Sequence, residues 1–259
     1  MSVDVTLGII TWKAKGLLRQ LLDSINVHID GMSHEIIVLD NQSGDGTVEM
    51  VEKEYPHVKL LKNARNEGVA PARNKILKIA KGRYILLLDV DTKVLPGAVK
   101  TLVEVMDVHP EVAIGGPKLI YGDGKLQLSC RPFPSLLNIL IEGTFLRDWF
   151  HNSKFVKEYT MEDWDHAAIR EVDWMYGAGL IIRRESLNTI GLFDERFFYL
   201  YEDVDICLRA KKLGFKVMYV PHATIVHFLE REGKGMFHPR IASHVKSILR
   251  YLTKRLVWI

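Results

Sequence analysis

Two aspartates separated by one residue, Asp89 and Asp91, close an apolar run that starts at Tyr84 and continues through Leu88. In an extended chain, side chains two residues apart project to one side, so these carboxylates can converge just beyond the end of a strand. With no thiolate nearby, carboxylate oxygens suit a hard ion such as Mg²⁺ or Mn²⁺, which fills its remaining positions with water and phosphate oxygens. The same aspartates also suit a turn and cap ahead of a helix whose first turn holds Pro96, where Asp is common. The tripeptide alone is compatible with both roles.

Other residues carry chemistry in the same way. Asp40 opens the turn-rich stretch Asp40 to Thr47, where it can accept hydrogen bonds from a base or ribose or simply hold the turn. Arg73 can balance phosphate charge or lie exposed on a helix. The segment from Phe193 to Asp205 brings an aromatic cluster against Glu202, Asp203 and Asp205, acids placed to handle protons.

These residues need elements to hold them. Val3 to Thr11 is apolar and β-branched, and Leu17, Leu18, Leu21, Leu22 and Ile25 recur at helical spacing within Gly16 to Ile29. The pattern predicts further strands over 35–39, 58–61 and 83–89, and helices over 48–54 and 96–108. Asn66 to Asn74 is expected as a loop leading into a helix that ends near Lys81. Such alternation predicts an α/β fold with a mainly parallel sheet covered on both faces. Its strand ends at Thr11, Asp40 and Asp89 then share one edge and form a nucleotide-sized crevice. Beyond it come a strand over 112–121 broken at Gly115-Gly116-Pro117, a hairpin turn at Gly122 to Lys125, and a strand at Leu180 to Ile182. A helix over 205–213 and two short strands, 215–220 and 223–227, follow. Trp149, Phe150, Phe155, Tyr159 and Trp164 can cover an acceptor or pack a loose subdomain. From Arg240 onward, Ile241, Val245, Ile248, Leu249, Leu252 and Leu256 recur with Lys246, Arg250, Lys254 and Arg255 among them. This is a basic amphipathic helix suited to an anionic membrane face or to docking on the domain, and Trp258 favours the membrane.

Composition narrows the classes. The 259 residues, 47% of them hydrophobic, allow a sizeable core. A net charge of +3 with interspersed signs gives no reason to expect a nucleic-acid partner. Cys130 and Cys207 form neither a disulfide framework nor a zinc cluster and suit a reducing compartment. The first residues enter a strand-like run without the features of a secretory signal, so a cytoplasmic protein is expected. The apolar stretch Ser135 to Leu146 is interrupted by Asn138, Glu142 and Gly143 and falls short of the roughly 20 residues that span a bilayer.

Taken together, Asp40 to Thr47, Asn66-Glu67-Gly68 with Ala72-Arg73-Asn74, Leu88-Asp89-Val90-Asp91 and Tyr201-Glu202-Asp203-Val204-Asp205 resemble the family 2 glycosyltransferases. The likeness covers nearly the whole chain and is nearest to the bacterial rhamnosyltransferase-like branch. There an aromatic segment like Phe193-Asp194-Glu195-Arg196-Phe197-Phe198 precedes the Glu-Asp pair and an end like Pro221 to His227 follows. The resemblance implies a GT-A fold with a smaller acceptor region, a nucleotide-diphospho-sugar donor and a divalent metal, Mg²⁺ or Mn²⁺. It divides the chain into a donor half, 1–120, an acceptor and base half, 121–239, and the basic helix, 240–259.

The resemblance also assigns roles. Thr11, Asp40, Asn66, Arg73, Asp89 and Val90 would hold the nucleotide-sugar, Asp91 and His227 the metal, and Asp203 would be the catalytic base. Trp174, Gly177, Ala178 and Glu202 would line the acceptor and sugar pocket. Glu202 and Asp205 would raise the proton affinity of Asp203 by like-charge repulsion, although a cap on the following helix is the favoured role of Asp205. Trp12-Lys13 departs from the Tyr-Asn of many relatives and leaves the finer nucleoside contacts open. The implied reaction is an inverting transfer from dTDP-rhamnose or a UDP-sugar to a glycan or lipid-linked acceptor in cell-surface polysaccharide synthesis. A sugar-phosphate nucleotidyltransferase is the enzymatic alternative, but Gly8-Ile9-Ile10-Thr11-Trp12 lacks its glycine-rich, arginine-containing signature. A nucleotide-sugar-binding scaffold without turnover is the other.

Overall fold

The computed structural model describes residues 3–29, 31–142, 149–150, 152–198, 200–228 and 240–257. The expectations that touch Gly143 to Leu146, Tyr199 and Trp258 lie outside the described residues.

The first half follows the hydrophobic periods: β1 (Val5–Thr11), α1 (Lys15–His28), β2 (His34–Asp40), α2 (Thr47–Glu54), β3 (Lys59–Lys62), α3 (Val69–Ile79) and β4 (Tyr84–Asp89). Next come β5 (Thr92–Val94), α4 (Ala98–Val108) and β6 (Val112–Ile120), then the expected tight turn and β7 (Leu126–Gln127). The rest comprises β8 (Cys130–Arg131), α5 (Leu136–Glu142), α6 (Lys154–Thr160), β9 (Arg170–Glu171), β10 (Trp174–Met175) and β11 (Gly179–Arg183). It ends with α7 (Leu187–Ile190), α8 (Glu202–Lys212), β12 (Lys216–His227) and α9 (Arg240–Val257).

The main sheet runs β3-β2-β1-β4-β11-β6-β12-β5, with β7 on β6 and β9 on β12. β3, β2, β1 and β4 are parallel, as are β6 and β12, and β11 lies antiparallel between β4 and β6. Alternation along β4 explains why its sequence is apolar throughout. Tyr84, Leu86 and Leu88 pack on one face with α1, α2 and α4, whereas Ile85 and Leu87 pack on the other with α3 and α8. A strand with helices on both faces has no polar side. Gly8 in β1 lets α3 approach, because a Cβ there would meet Ile76 Cγ2 at 2.8 Å.

Several boundaries differ from the sequence reading. α4 begins at Ala98 behind a left-handed Gly97, so Pro96 precedes the helix rather than sitting in its first turn, and the short strand β5 comes before it. α3 begins at Val69, so Ala72-Arg73-Asn74 is helical rather than loop. Pro71 is tolerated there because first-turn N–H groups lack intrahelical acceptors anyway. α8 begins at Glu202 rather than Asp205, directly after Leu200 and Tyr201 in left-handed backbone at φ 62° and 72°. The two short strands expected at 215–220 and 223–227 are one strand, β12. Pro221 and His222 fall where its register on β6 shifts, between Val220 and Thr224, so the irregularity is absorbed as a bulge.

Candidate active site

Parallel pairing sets the crevice. Thr11 lies opposite Asp40, and Ile10 opposite Asp89, so these ends share one edge of the sheet. Asp40 is buried and accepts the Ser43 N–H at 3.2 and 3.3 Å, which makes it the anchor of its turn. The buried Thr11 hydroxyl has no hydrogen-bond partner among the described residues. Sequence reasoning missed Asn41, which organises the next loop. Its amide nitrogen donates to Asn66 Oδ1 at 3.0 Å and to the Gly68 carbonyl at 3.2 Å, and its oxygen accepts from Asn63 Nδ2 and Glu67 N. Asn66 also accepts from Gly68 N at 2.9 Å, so its amide oxygen shapes the entry to α3.

Asp89 and Asp91 do converge, and β12 brings His227 to them. The antiparallel register sets His227 opposite Thr92, and Phe228 N donates to the Asp91 carbonyl at 2.9 Å. One ligand atom from each of Asp89, Asp91 and His227 lies within 4.8 Å of the others. His227 Nε2 is 3.5 Å from Asp91 Oδ1. Burial alone would lower the His227 pKa, but the hydrogen bond and charge of Asp91, with the charge of Asp89, raise it. Two carboxylates and one imidazole are a fitting donor set for Mg²⁺ or Mn²⁺. Val90, partly buried, packs against the core between the two aspartates.

Arg73 corrects the reading of an exposed helix residue, because it is 3% exposed. Its Nη2 donates to Asp89 Oδ1 at 3.0 Å and to the Gly177 carbonyl at 2.9 Å, and its Nη1 donates to Glu202 Oε1 at 3.2 Å. The guanidinium is thus a buried bridge between Asp89 and Glu202 of α8. Burial opposes its charge, but Asp89, Glu202 and Asp203 raise its pKa above the usual value. Gly177 is required beside it, since a Cβ there would lie 2.8 Å from the guanidinium nitrogens.

The acid cluster separates by environment. Burial, then the charge of Asp203, push the Glu202 carboxyl up to about 7 against the pull of Arg73. Its Oε2 is buried without a partner among the described residues. Burial also raises Asp203, opposed by Arg73 and by the N–H groups of Val204 and Gly177, which reach its two oxygens at 2.8 and 3.1 Å. Asp205 is not the cap. It is buried inside the first turn of α8, bonded to Arg209 Nε at 2.9 Å and Lys254 Nζ at 2.6 Å, because the helix starts three residues earlier than its acids suggest.

The expected pocket residues divide. Gly177 meets Asp203 and Arg73, and the Ala178 carbonyl accepts from Asp89 N at 3.1 Å. Trp174 is instead a core side chain, with its indole N–H on the Pro132 carbonyl at 2.9 Å. Of the aromatics considered as a cover, Trp149 and Phe150 are exposed, whereas Trp164 lies against His166 and meets Tyr219 edge-on.

Among solved structures, the chain resembles S. aureus TarS, with a TM-score of 0.60 at 20% identity over 86% of this chain and 60% of that one. It also resembles the mannosyltransferase PcManGT of Pyrobaculum calidifontis, solved with GDP-Man and Mn²⁺, with a TM-score of 0.64 at 19% identity over 99% and 65%. The chain spans less than two thirds of either structure's length. These likenesses and the sheet define the class as the GT-A fold of glycosyltransferases. The family model described as glycosyl transferase family 2 matches residues 6–167, more than half of the chain, and the chain belongs to that family. Family membership sets aside the nucleotidyltransferase alternative. Its relatives include the N-acetylglucosaminyl-diphospho-decaprenol L-rhamnosyltransferase of Mycobacterium tuberculosis, 28% identical over 231 residues, 85% of this chain and 75% of that protein. Rhamnosyltransferase WbbL of Escherichia coli is 24% identical over 247 residues, 92% of this chain and 88% of its own.

Proposed function

We propose that this glycosyltransferase moves a sugar, with inversion, from a nucleotide-diphospho-sugar to a glycan or lipid-linked acceptor in cell-surface polysaccharide synthesis. dTDP-rhamnose is the leading donor and a UDP-sugar the next; the names of the two curated relatives support rhamnose, and one of those names carries a diphospho-decaprenol acceptor. The observation that carries the reading is the buried Arg73 bridge, with Asp89 and its metal-ligating neighbours on one side and Glu202 next to Asp203 on the other.

In this reading the first half, 1–120, binds the donor through Thr11, Asp40, Asn66, Asp89 and Val90. The Thr11 hydroxyl, without a partner among the described residues, is suited to a nucleoside hydrogen bond. Asp91 and His227, with Asp89 beside them, would hold Mg²⁺ or Mn²⁺. When bound, the ion supplies positive charge beside the departing diphosphate. Arg73 keeps Asp89 aimed at that corner and, at its other end, holds Glu202. Asp203 takes the proton of the acceptor hydroxyl as that oxygen bonds to the anomeric carbon, while the carbon's bond to the diphosphate oxygen breaks on the opposite face. Gly177 and Ala178 line the sugar pocket, supported from the core by Trp174.

The proposal includes a peripheral contact with an anionic bilayer. α9 grips the body through the buried Tyr251 ring and Leu252 together with polar groups: Tyr251 Oη donates to the Pro134 carbonyl at 3.1 Å, and Lys254 Nζ lies 2.7 Å from Asp194 and 2.6 Å from Asp205. Val245 and Leu249 remain exposed with Lys246 beside them, and α5, two residues after Pro134, exposes Leu136, Leu137 and Leu140. Apolar groups interspersed with cations suit an anionic lipid interface.

Thermal denaturation with dTDP, UDP or GDP, each with Mn²⁺, Mg²⁺ or chelator, tests the donor site, since a ligand of the native state raises apparent stability. The expected result is a metal-dependent rise with dTDP that exceeds the others. No rise with any nucleotide overturns the donor reading.

A further inference from the structure

We propose that Gln127 is a positioning residue that holds His227 in the one tautomer able to ligate a cation beside Asp89 and Asp91; the proposal rests on the metal reading of that corner. The register of three strands carries the argument. Gln127 in β7 pairs with Leu119 in β6, and Leu119 pairs with Ile225 in β12. Paired residues project to the same face of a sheet, and so do residues two apart on one strand. Gln127 and His227 therefore stand on one face across β6, and Gln127 Oε1 meets His227 Nδ1 at 2.7 Å.

An amide oxygen only accepts, so this contact requires the proton on Nδ1. In a neutral imidazole, Nε2 then carries the lone pair, and Nε2 is the nitrogen that faces Asp91. A ligating histidine is commonly fixed through its second nitrogen in this way. Gln127 is 2% exposed and its amide nitrogen has no partner among the described residues. An unpaired buried donor costs stability, so packing alone does not account for an amide here. The opposite amide orientation would instead donate to Nδ1 and put the ring proton on Nε2, against Asp91 and in the place of a cation.

Ring ¹⁵N and ¹H NMR of the full chain without metal, in alkaline buffer where the imidazole is neutral, distinguishes these states. His227→Asn assigns the signals. Gln127→Met keeps the length but removes the acceptor, and Gln127→Glu retains an acceptor. The expected result is an Nδ1–H ring in the native protein and in Gln127→Glu, and a shift towards Nε2–H in Gln127→Met. In parallel, Mn²⁺ titration in the presence of dTDP, read by electron paramagnetic resonance, should show affinity falling about 10–100-fold in Gln127→Met and largely retained in Gln127→Glu. A native Nε2–H ring, or a ring that ignores Gln127→Met, overturns the proposal. If the tautomer answers to Gln127 but the native protein takes up no Mn²⁺, the metal reading falls and the ligand-positioning role falls with it.

Discussion

Asp203 and Glu202 are consecutive, yet their surroundings differ: both oxygens of Asp203 accept backbone N–H groups, and one oxygen of Glu202 is bare. Asp203→Asn is nearly isosteric, so it should cut transfer by about 10²–10⁴-fold, the range of general-base contributions. The nucleotide-dependent rise in melting temperature should persist. An equal loss of both would assign Asp203 to donor binding. Glu202 gives a pH prediction whose sign follows from its raised pKa. Below the ordinary glutamate value both folded and unfolded chains hold the proton; above it the unfolded chain releases the proton first. The stability tied to this proton is thus complete at acid pH and is lost as pH rises through about 7. The melting temperature of the native chain should fall relative to Glu202→Gln across that interval, and parallel curves would refute the assignment. At this scale the Asp89/Asp91 pair was legible because carboxylates one residue apart stay close whatever the backbone between them, here a turn at Val90 and Asp91 that joins β4 to β5. The burial of Arg73 was not, since an arginine among Ala72, Asn74 and Lys75 reads as exposed until α8 and Gly177 close over it from more than a hundred residues away.

Elements deliver these groups, and their junctions are the sensitive points. Gly68 stands at φ 88° before α3, where an added Cβ would lie 2.6 Å from the Phe198 ring and 2.7 Å from its carbonyl. Val69 N also donates to that carbonyl at 3.0 Å. Gly68→Ala should therefore destabilise the fold by about 1–3 kcal/mol, through overpacking and an unfavourable φ together. Chemical denaturation measures this, and a change within error would mean that the loop and the aromatic segment separate easily. Most helices and strands of the first half were readable to within a few residues because each repeats its apolar period, but β5, only three residues long, is too short to show one. Element ends were less readable. Asp205 looked like a cap because its type suits one, but the left-handed backbone at Leu200 and Tyr201 starts α8 earlier. β12 looked like two strands because proline usually interrupts a ladder, whereas here a bulge accommodates it.

For the whole molecule, α9 serves the body and leaves an apolar face open. Removing it would take Lys254 away from Asp194 and Asp205 and the buried Tyr251 ring out of the core cluster it packs in, so truncation would confuse membrane binding with unfolding. Val245→Asp with Leu249→Asp avoids that, as both side chains are exposed. Co-sedimentation with anionic vesicles should fall about tenfold or more, because two apolar groups become charges of the wrong sign, while the melting temperature stays within a degree or so on the scale of exposed substitutions. Unchanged sedimentation would remove the bilayer from the proposal. Among the described residues, no helix is long and apolar enough to cross a membrane. The amphipathic period of α9 was plain in the sequence; which of its faces meets the body was not, since that depends on Pro134, Asp194 and Asp205.

The interior position of β12 has a consequence for how the protein is made. It lies between β6 and β5 in the sheet but follows both in the chain. While a ribosome is still making residues 216–227, β6 and β5 each present an unpaired edge, and the ion corner lacks His227. Contacts between segments so far apart in sequence form slowly, and an open edge is a template for pairing with another chain. Completion of the Asp89–Asp91–His227 corner therefore comes late in folding, and a chain stalled before Lys216 exposes the edge of β6 to its neighbours.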